Sequence, residues 1–413
     1  MKQKASRFGR IMLKIAILAI ALDEVASGAV SPAMGELIAE FGPAHGETMV
    51  MLIGTMPQFC LVFVAPIFGL LANRFKRRHL AFFGLACFTL GGFLPRFATD
   101  LMVILGFRVV LGIGVAILMP LALVLVDDFF EGPEKNTMIG FNMTIQMLGG
   151  TFFQLAGGYL ATIHWSQIFD VYLYPIWIII LVFLFVPEPP KRELVARSSE
   201  KGLQKQRLPK IIFLLCGVYI LYHICFVNLP MNVAVLIESQ GYGDAANAGV
   251  LLSIMTMGAF AGGLIFGLTY KRLSSNTMVL GMLTIAIGFS FCYFSNGLIM
   301  IGIGCLLCGY GTGTVMPSFM SVAIEAAPAT RVALSLSLLP ASMGLGQFLS
   351  PVVSNALLNT FGLSIGRDAM GLGALFSLVL VVLMIALTRV IKKRRENLLV
   401  DSVDSSQTTD SSD

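Results

Sequence analysis

Charge is scarce in this sequence. Lys, Arg, Asp and Glu together make up 12% of 413 residues, against about 25% in a soluble domain. Mean hydropathy is +0.85, which excludes a water-soluble globule. The weak alternation of ten-residue runs that an outer-membrane barrel shows is missing too. Thiols and imidazoles in metal-ligand spacing are also wanting. All seven cysteines lie in apolar runs, and Cys305 and Cys308 form a CxxC only inside one. They read as buried, inert thiols. No Ser/His/Asp set, paired-His metal spacing or Gly-rich phosphate loop stands out. An enzyme is therefore not expected, and neither is a cofactor.

What is present is length of apolar run. Twelve runs of spanning length lie near 11–33, 48–72, 79–99, 101–126, 137–161, 167–187, 210–233, 246–270, 277–295, 296–324, 331–359 and 368–391. Lipid offers no partner for a free backbone group, so each must be helical. The first run follows four basic residues and imitates a signal peptide. Asp23-Glu24 interrupts it and many spans follow, so it reads as a span. An even number of spans puts both termini on one side. With the termini inside, 25 of the 28 basic residues fall in inner segments, as the positive-inside rule demands. The net charge of +5 is thus orientation information, and nucleic acid is not a partner.

The longest polar interval between spans, Pro187 to Lys210, divides them six and six. The expected organisation is an all-α integral membrane protein. An N-terminal six-helix bundle occupies 1–190, a cytoplasmic linker 191–209, a C-terminal six-helix bundle 210–395 and a disordered tail 396–413. The halves look related. Pro32 and Pro230, Gly69 and Gly267, Arg74 and Arg272, and Asp127 and Glu325 are each 198 residues apart. Such pseudo-symmetric halves are the plan of many secondary transporters.

Four motifs sharpen this. Gly69, Arg74, Arg77 and Arg78 match G-x-x-x-D-R-x-G-R-R, with Asn73 in place of Asp and Lys76 in place of Gly. Arg108, Gly112 and Gly114 fit R-x-x-x-G-x-G. Gly149 through Gly157-Gly158 is similar to G-x-x-x-G-P-x-x-G-G, with Phe153-Gln154 where Gly-Pro would stand. Leu22-Asp23 and Pro32 match part of a first-span signature. Together these resemble the major facilitator superfamily, and within it the twelve-helix drug/proton antiporters. The resemblance covers Ile11 to about Arg395. It implies alternating access, with spans 1, 4, 7 and 10 lining a central cavity.

The candidate coupling residues are polar groups where polarity is costly. A carboxylate deep in a span costs about 2.5–3.5 kcal/mol on insertion scales. Asp23 lies roughly 18 Å into the first span, and Glu24 follows it. Arg108 would face these acids and hold one ionised. His223 in the seventh span is a further proton carrier or a structural hydrogen-bonding group. Gln58, Asn142, Gln146, Tyr219, Tyr222 and Asn228 contact substrate or glue helices. The 31 Phe and 22 Met point to an apolar cavity that repacks around varied shapes. At the inner ends, Arg74, Arg77 or Arg78 can reach Asp127 or Asp128, and Lys271 or Arg272 can reach Glu325. With Gly69 and Asn73 these would form a latch that loosens in the inward-facing state. The expected function is proton-coupled efflux of small lipophilic compounds from a monomer in the cell membrane of a bacterium. The alternative is transport of a sugar or an organic acid. Partners are protons, a small-molecule substrate and the lipid bilayer.

Overall fold

The computed structural model describes residues 7–22, 27–188, 208–328 and 331–410. Asp23 and Glu24 lie outside the described residues, as does nearly all of the expected linker. Gly69 and Asn73 belong to a described helix, but their side-chain surroundings lie outside the description.

Among the described residues all regular structure is helical. The first span is not one rod. It comprises α1 (Arg7–Ile20), a 3₁₀ stretch (Ser27–Ala33) and α2 (Met34–His45). Hydropathy ended this span at Ala33, yet α2 adds a further 12 residues. The reason is amphipathicity: Met34, Leu37 and Phe41 are buried, while Glu40 is exposed. Then follow α3 (Glu47–Arg74), α4 (Arg77–Phe93), α5 (Leu101–Phe129) and α6 (Gly132–Ala161). A second 3₁₀ stretch, Trp165–Leu173, leads into α7 (Pro175–Phe185). The remaining helices are α8 (Lys210–Ser239), α9 (Ala245–Leu273), α10 (Thr277–Tyr293), α11 (Leu298–Ala326), α12 (Val332–Thr360) and α13 (Arg367–Asp410). Polar caps set several ends. Asp100 accepts from the Met102 N–H at 2.6 Å to start α5, and Asp244 with Asn247 closes a capping box on α9. The Glu188 carboxylate accepts from the Arg77 and Arg78 N–H groups at the start of α4, at 2.9 and 3.2 Å.

The repeat extends from residues to elements. Helices α3 and α9 start at 47 and 245, α4 and α10 at 77 and 277, α5 and α11 at 101 and 298, and α6 and α12 at 132 and 332. Pro120 and Pro317 interrupt α5 and α11 at matching depth. Gly114 and Gly311 also match. A Cβ at Gly114 would lie 2.7 Å from the Gly84 carbonyl oxygen, and one at Gly311 2.4 Å from that of Gly281. Glycine there lets α5 press on α4, and α11 on α10.

The halves touch through α3 against α12 and α6 against α9. Thr256 Oγ1 donates to Gln154 Oε1 at 3.0 Å, Ser253 Oγ to the Thr151 carbonyl at 3.1 Å, and Asn355 Nδ2 to Thr48 Oγ1 at 3.1 Å. Phe59 stacks on Phe348. Gly158 and Gly249 bring α6 and α9 into backbone contact. These residues all sit in the portions of the four helices away from the basic loops, so the halves are closed together on that far side.

By length and hydropathy, eight stretches qualify as spans among the described residues, one of which, Ala245–Tyr293, holds two helices. Helices α6 and α12 are not among them. Both carry glycine, serine or amides on the face that meets the other half, while α6 keeps Phe141, Leu148 and Phe152 exposed on its outer face. The expected disordered tail differs as well: α13 continues to Asp410, and no Gly or Pro after Gly373 stops it.

Candidate functional site

Between the halves lies a cavity of about 380 Å³. Six methionines line it: Met119, Met147, Met231, Met255, Met316 and Met343. Four glutamines join them: Gln58, Gln146, Gln154 and Gln347. Every lining residue described is uncharged. The wall draws on α3, α5, α6, α8, α9, α11, α12 and the first 3₁₀ stretch, so it exists only because both halves contribute. Thioethers supply soft, polarizable surface that adapts to shape. The amides supply both donors and acceptors at a few points.

The sequence-named residues fall into three positions. Gln58 and Gln146 are in the wall. Asn142 lies just behind it, accepting from Gln146 Nε2 at 3.3 Å. Tyr219, Tyr222 and Asn228, expected in the cavity, line none of it. Phe319 of α11 covers both tyrosines, with ring centroids 4.7 and 6.1 Å away. Asn228 instead ties α8 to α13 by donating to the Ala369 carbonyl at 2.6 Å.

Arg108 is fully buried. Its Nε donates to the Ile53 carbonyl at 2.8 Å, and its guanidinium lies 5.2 Å from the Tyr172 ring centre. Ile53 immediately precedes the wall residues Gly54 and Thr55, so the cation sits one layer behind the cavity. Asp23 and Glu24 are outside the described residues, but their flanks are placed. Leu22 packs on Gly149, and Gly28 and Ser31 line the cavity. His223 is fully buried. Its Nδ1 lies 3.4 Å from the Gln347 amide nitrogen, and Gln347 reaches the wall. Its ring stands edge-on to Tyr219 at 4.5 Å.

On the basic side one of the expected pairings is formed: Arg77 Nε meets Asp128 at 3.2 Å. Asp127 pairs with Lys135. Arg78 donates to the Phe183 carbonyl at 2.5 Å and lies over the Phe183 ring. Arg74 is exposed. Lys271 and Arg272 are exposed too, and Glu325 accepts from Tyr270 OH at 3.0 Å instead. The observed pairs are internal to one half, since their residues sit on neighbouring helices of the same bundle. They are formed while the halves are closed on the far side, so they brace the N-terminal bundle in this state. One further pairing joins it: Lys14 hydrogen-bonds the Glu134 carboxylate, with Arg10 beside it, and holds its pKa below the usual range.

Sequence reasoning missed Gln347 and the grouping of the methionines. A glutamine in an apolar run is the available signal for Gln347. Nothing in one-dimensional spacing groups six methionines from six helices.

Comparison with known proteins fits this architecture. The sequence matches the Major Facilitator Superfamily family model over residues 16–279 and 233–402. It is 30% identical over 164 residues to the multidrug efflux pump SdrM of Staphylococcus aureus (strain N315), covering 38% of this chain and 36% of that protein. It is 27% identical over 190 residues to multidrug resistance protein 3 of Bacillus subtilis (strain 168), covering 44% and 35%. The matched stretches thus span about a third of those relatives' length. The nucleoside transporter NupG has a similar structure, with a TM-score of 0.74 at 13% identity over 91% of this chain and 99% of that one. A bacterial homologue of the human lysosomal transporter Spinster, solved inward-facing and occupied, gives 0.73 at 16% identity over 93% and 98%. At such identities the likeness concerns the fold. With its twelve crossings, its repeated halves and a cavity between them, this multi-pass membrane chain belongs to the major facilitator superfamily of transporters.

Proposed function

We propose that the protein exports small, uncharged or weakly charged lipophilic compounds in exchange for protons. The observation that carries this reading is the cavity lining of six methionines and four glutamines, with no charged side chain among the described residues of the wall. A sugar needs a dense set of hydrogen-bonding groups, and an organic acid needs a cation at the wall. Arg108 is fully buried behind it. The efflux relatives support the same cargo class. With the basic loops cytoplasmic, the closed far side is the outer one, and the conformation is inward-facing.

In this mechanism Asp23 and Glu24 take a proton in the outward-facing state, when cargo leaves. Arg108 favours their ionised form, so the proton is released once the cavity opens inward. His223 follows cavity occupancy through Gln347. Proteoliposomes carrying an imposed proton gradient test this. The wild-type chain should move a neutral lipophilic dye against its gradient, and Asp23→Asn with Glu24→Gln should reduce proton-driven movement at least about tenfold, as losing a carboxylate's interaction of one pKa unit or more would. Unchanged proton-driven movement in the double variant would sink the assignment.

A further inference from the structure

The far side of the molecule carries an acid pair that bridges the halves. Glu36 is in the first turn of α2, in the N-terminal half, and Glu238 is the penultimate residue of α8, in the C-terminal half. The Glu238 carboxyl lies directly on Gly35. A Cβ built there would fall 1.7 Å from Glu238 Oε2 and 2.2 Å from its Cδ. A side chain at position 35 would displace this carboxyl from where it sits. Glu36 Oε2 and Glu238 Oε1 are both shut off from solvent, and neither has a hydrogen-bond partner among the described residues.

Among the described residues no ion pair answers them. The elements packed on α2 are the preceding 3₁₀ stretch, α3, α8 and α9, and the second 3₁₀ stretch touches it through Trp165 on Phe41. The 3₁₀ stretch has no titratable group. Alpha-helix α2 itself adds Glu40 and His45, and α3 begins at Glu47. Asp244 caps α9 and adds negative charge to both glutamates. Arg367 Nη2 donates to Tyr242 OH and the Ser295 carbonyl at 3.0 and 2.9 Å, and its Nε is buried without a hydrogen-bond partner among the described residues; Arg96 pairs with Asp170. Two carboxylates partly withdrawn from water beside each other repel, and a proton on either one relieves the repulsion.

We propose that Glu36 and Glu238 form a proton-dependent latch on the far-side gate, holding the halves together when the pair carries a proton and pushing them apart when both are charged. The inference rests on the alternating-access reading above, because the latch matters only if the halves separate. The sign follows from linkage. The closed gate binds that proton more tightly than the open, hydrated one. Closure is therefore favoured as pH on that side falls through the pair's titration, and is lost as pH rises. Each unit by which closure raises the pair's proton affinity changes the open-to-closed ratio about tenfold. Acid outside would then both load the transporter and shut its outer gate.

The test reads gate opening without substrate. Thr55, buried in the cavity wall, becomes Cys in the full chain, reconstituted in oriented proteoliposomes. A membrane-impermeant maleimide is applied from the far side at about pH 5.5 and about pH 8. Rates are normalised to the unfolded chain at the same pH, and the chain without the added thiol is the blank. For one unit of linkage, labelling should rise about tenfold from the acid to the alkaline condition. Glu36→Gln and Glu238→Gln should each bring that ratio close to one, while Glu40→Gln, on the exposed side of the same helix, should leave it intact. Glu36→Lys supplies an ion pair and should keep labelling low at both pH values, which separates a lost latch from a lost fold. If both glutamine variants retain the parent's ratio, or the parent shows none, the latch is wrong. Failure of the dye-transport experiment would instead strike the cargo and coupling assignment, and leaves this readout untouched.

Discussion

On the basic side the two bundles share one backbone plan and differ in chemistry. The N-terminal bundle pairs its charges: Arg77 with Asp128, Lys135 with Asp127, and Arg10 and Lys14 with Glu134. In the C-terminal bundle Lys271 and Arg272 are exposed, and Glu325 takes a tyrosine hydroxyl. The contrast continues inside. Six positions before the matched Gly114 and Gly311, α5 carries Arg108 where α11 carries Cys305, and Pro120 corresponds to Pro317 at the same offset. Both residues are fully buried. A repeat therefore conserves the glycines and prolines that shape helices, and leaves its polar positions free to diverge. The buried cation therefore belongs to the N-terminal bundle, where we propose that coupling resides, while the C-terminal one sets His223 beside Gln347 at the cavity.

That comparison can be broken at three points. The largest effect should come from Arg108→Leu against Cys305→Ala. Losing a charged hydrogen bond to the Ile53 carbonyl should cost about 1.5–3 kcal/mol, and Cys305→Ala about 1 kcal/mol. Thermal unfolding in detergent would show it, and equal losses would mean the bundles are not chemically specialised. Next is Gly158→Ala against Gly267→Ala. A Cβ at Gly158 would sit 2.5 Å from the Ala245 carbonyl oxygen, whereas Gly267 has nothing within 4 Å. The first should cost about 1–3 kcal/mol by overpacking, and the second should gain up to about 1 kcal/mol from helix propensity. Melting curves with the opposite ranking would refute close packing at the far side. The smallest effect pits Arg77→Ala against Arg272→Ala. The Arg77–Asp128 pair is partly buried, with side chains 22% and 13% exposed, and its loss should cost about 0.2–1 kcal/mol. Arg272→Ala should be silent in the same assay, and a matching loss would reveal a C-terminal brace.

The helix positions were legible because lipid imposes them. Any apolar run of sufficient length has one solution for its backbone, and α3, α4, α5 and α9 begin and end within a few residues of the expected spans. The first span was harder. Amphipathic α2 is hidden from a hydropathy window, because half of its surface is polar. The site was legible in part. Gln58 and Gln146 announced themselves as amides in apolar helices, and both reached the wall. Tyr219 and Asn228 gave the same signal and packed inside the C-terminal bundle. An amide costs the same in one dimension whether it faces a cavity or a neighbouring helix.

The sequence by itself determined the class: a membrane protein of twelve crossings, with two related halves and a basic side. Each of these follows from local rules of burial, length and charge, which act on a segment without reference to its neighbours. Only the tertiary structure decided which face of each helix meets the other half. That choice gathered methionines from six helices around one cavity, set Gln347 beside His223, kept the Arg77–Asp128 pair within a single bundle, and laid Glu238 on Gly35 across the gate. Their relation is the product of rotation and tilt between packed helices, quantities that no spacing along the chain encodes.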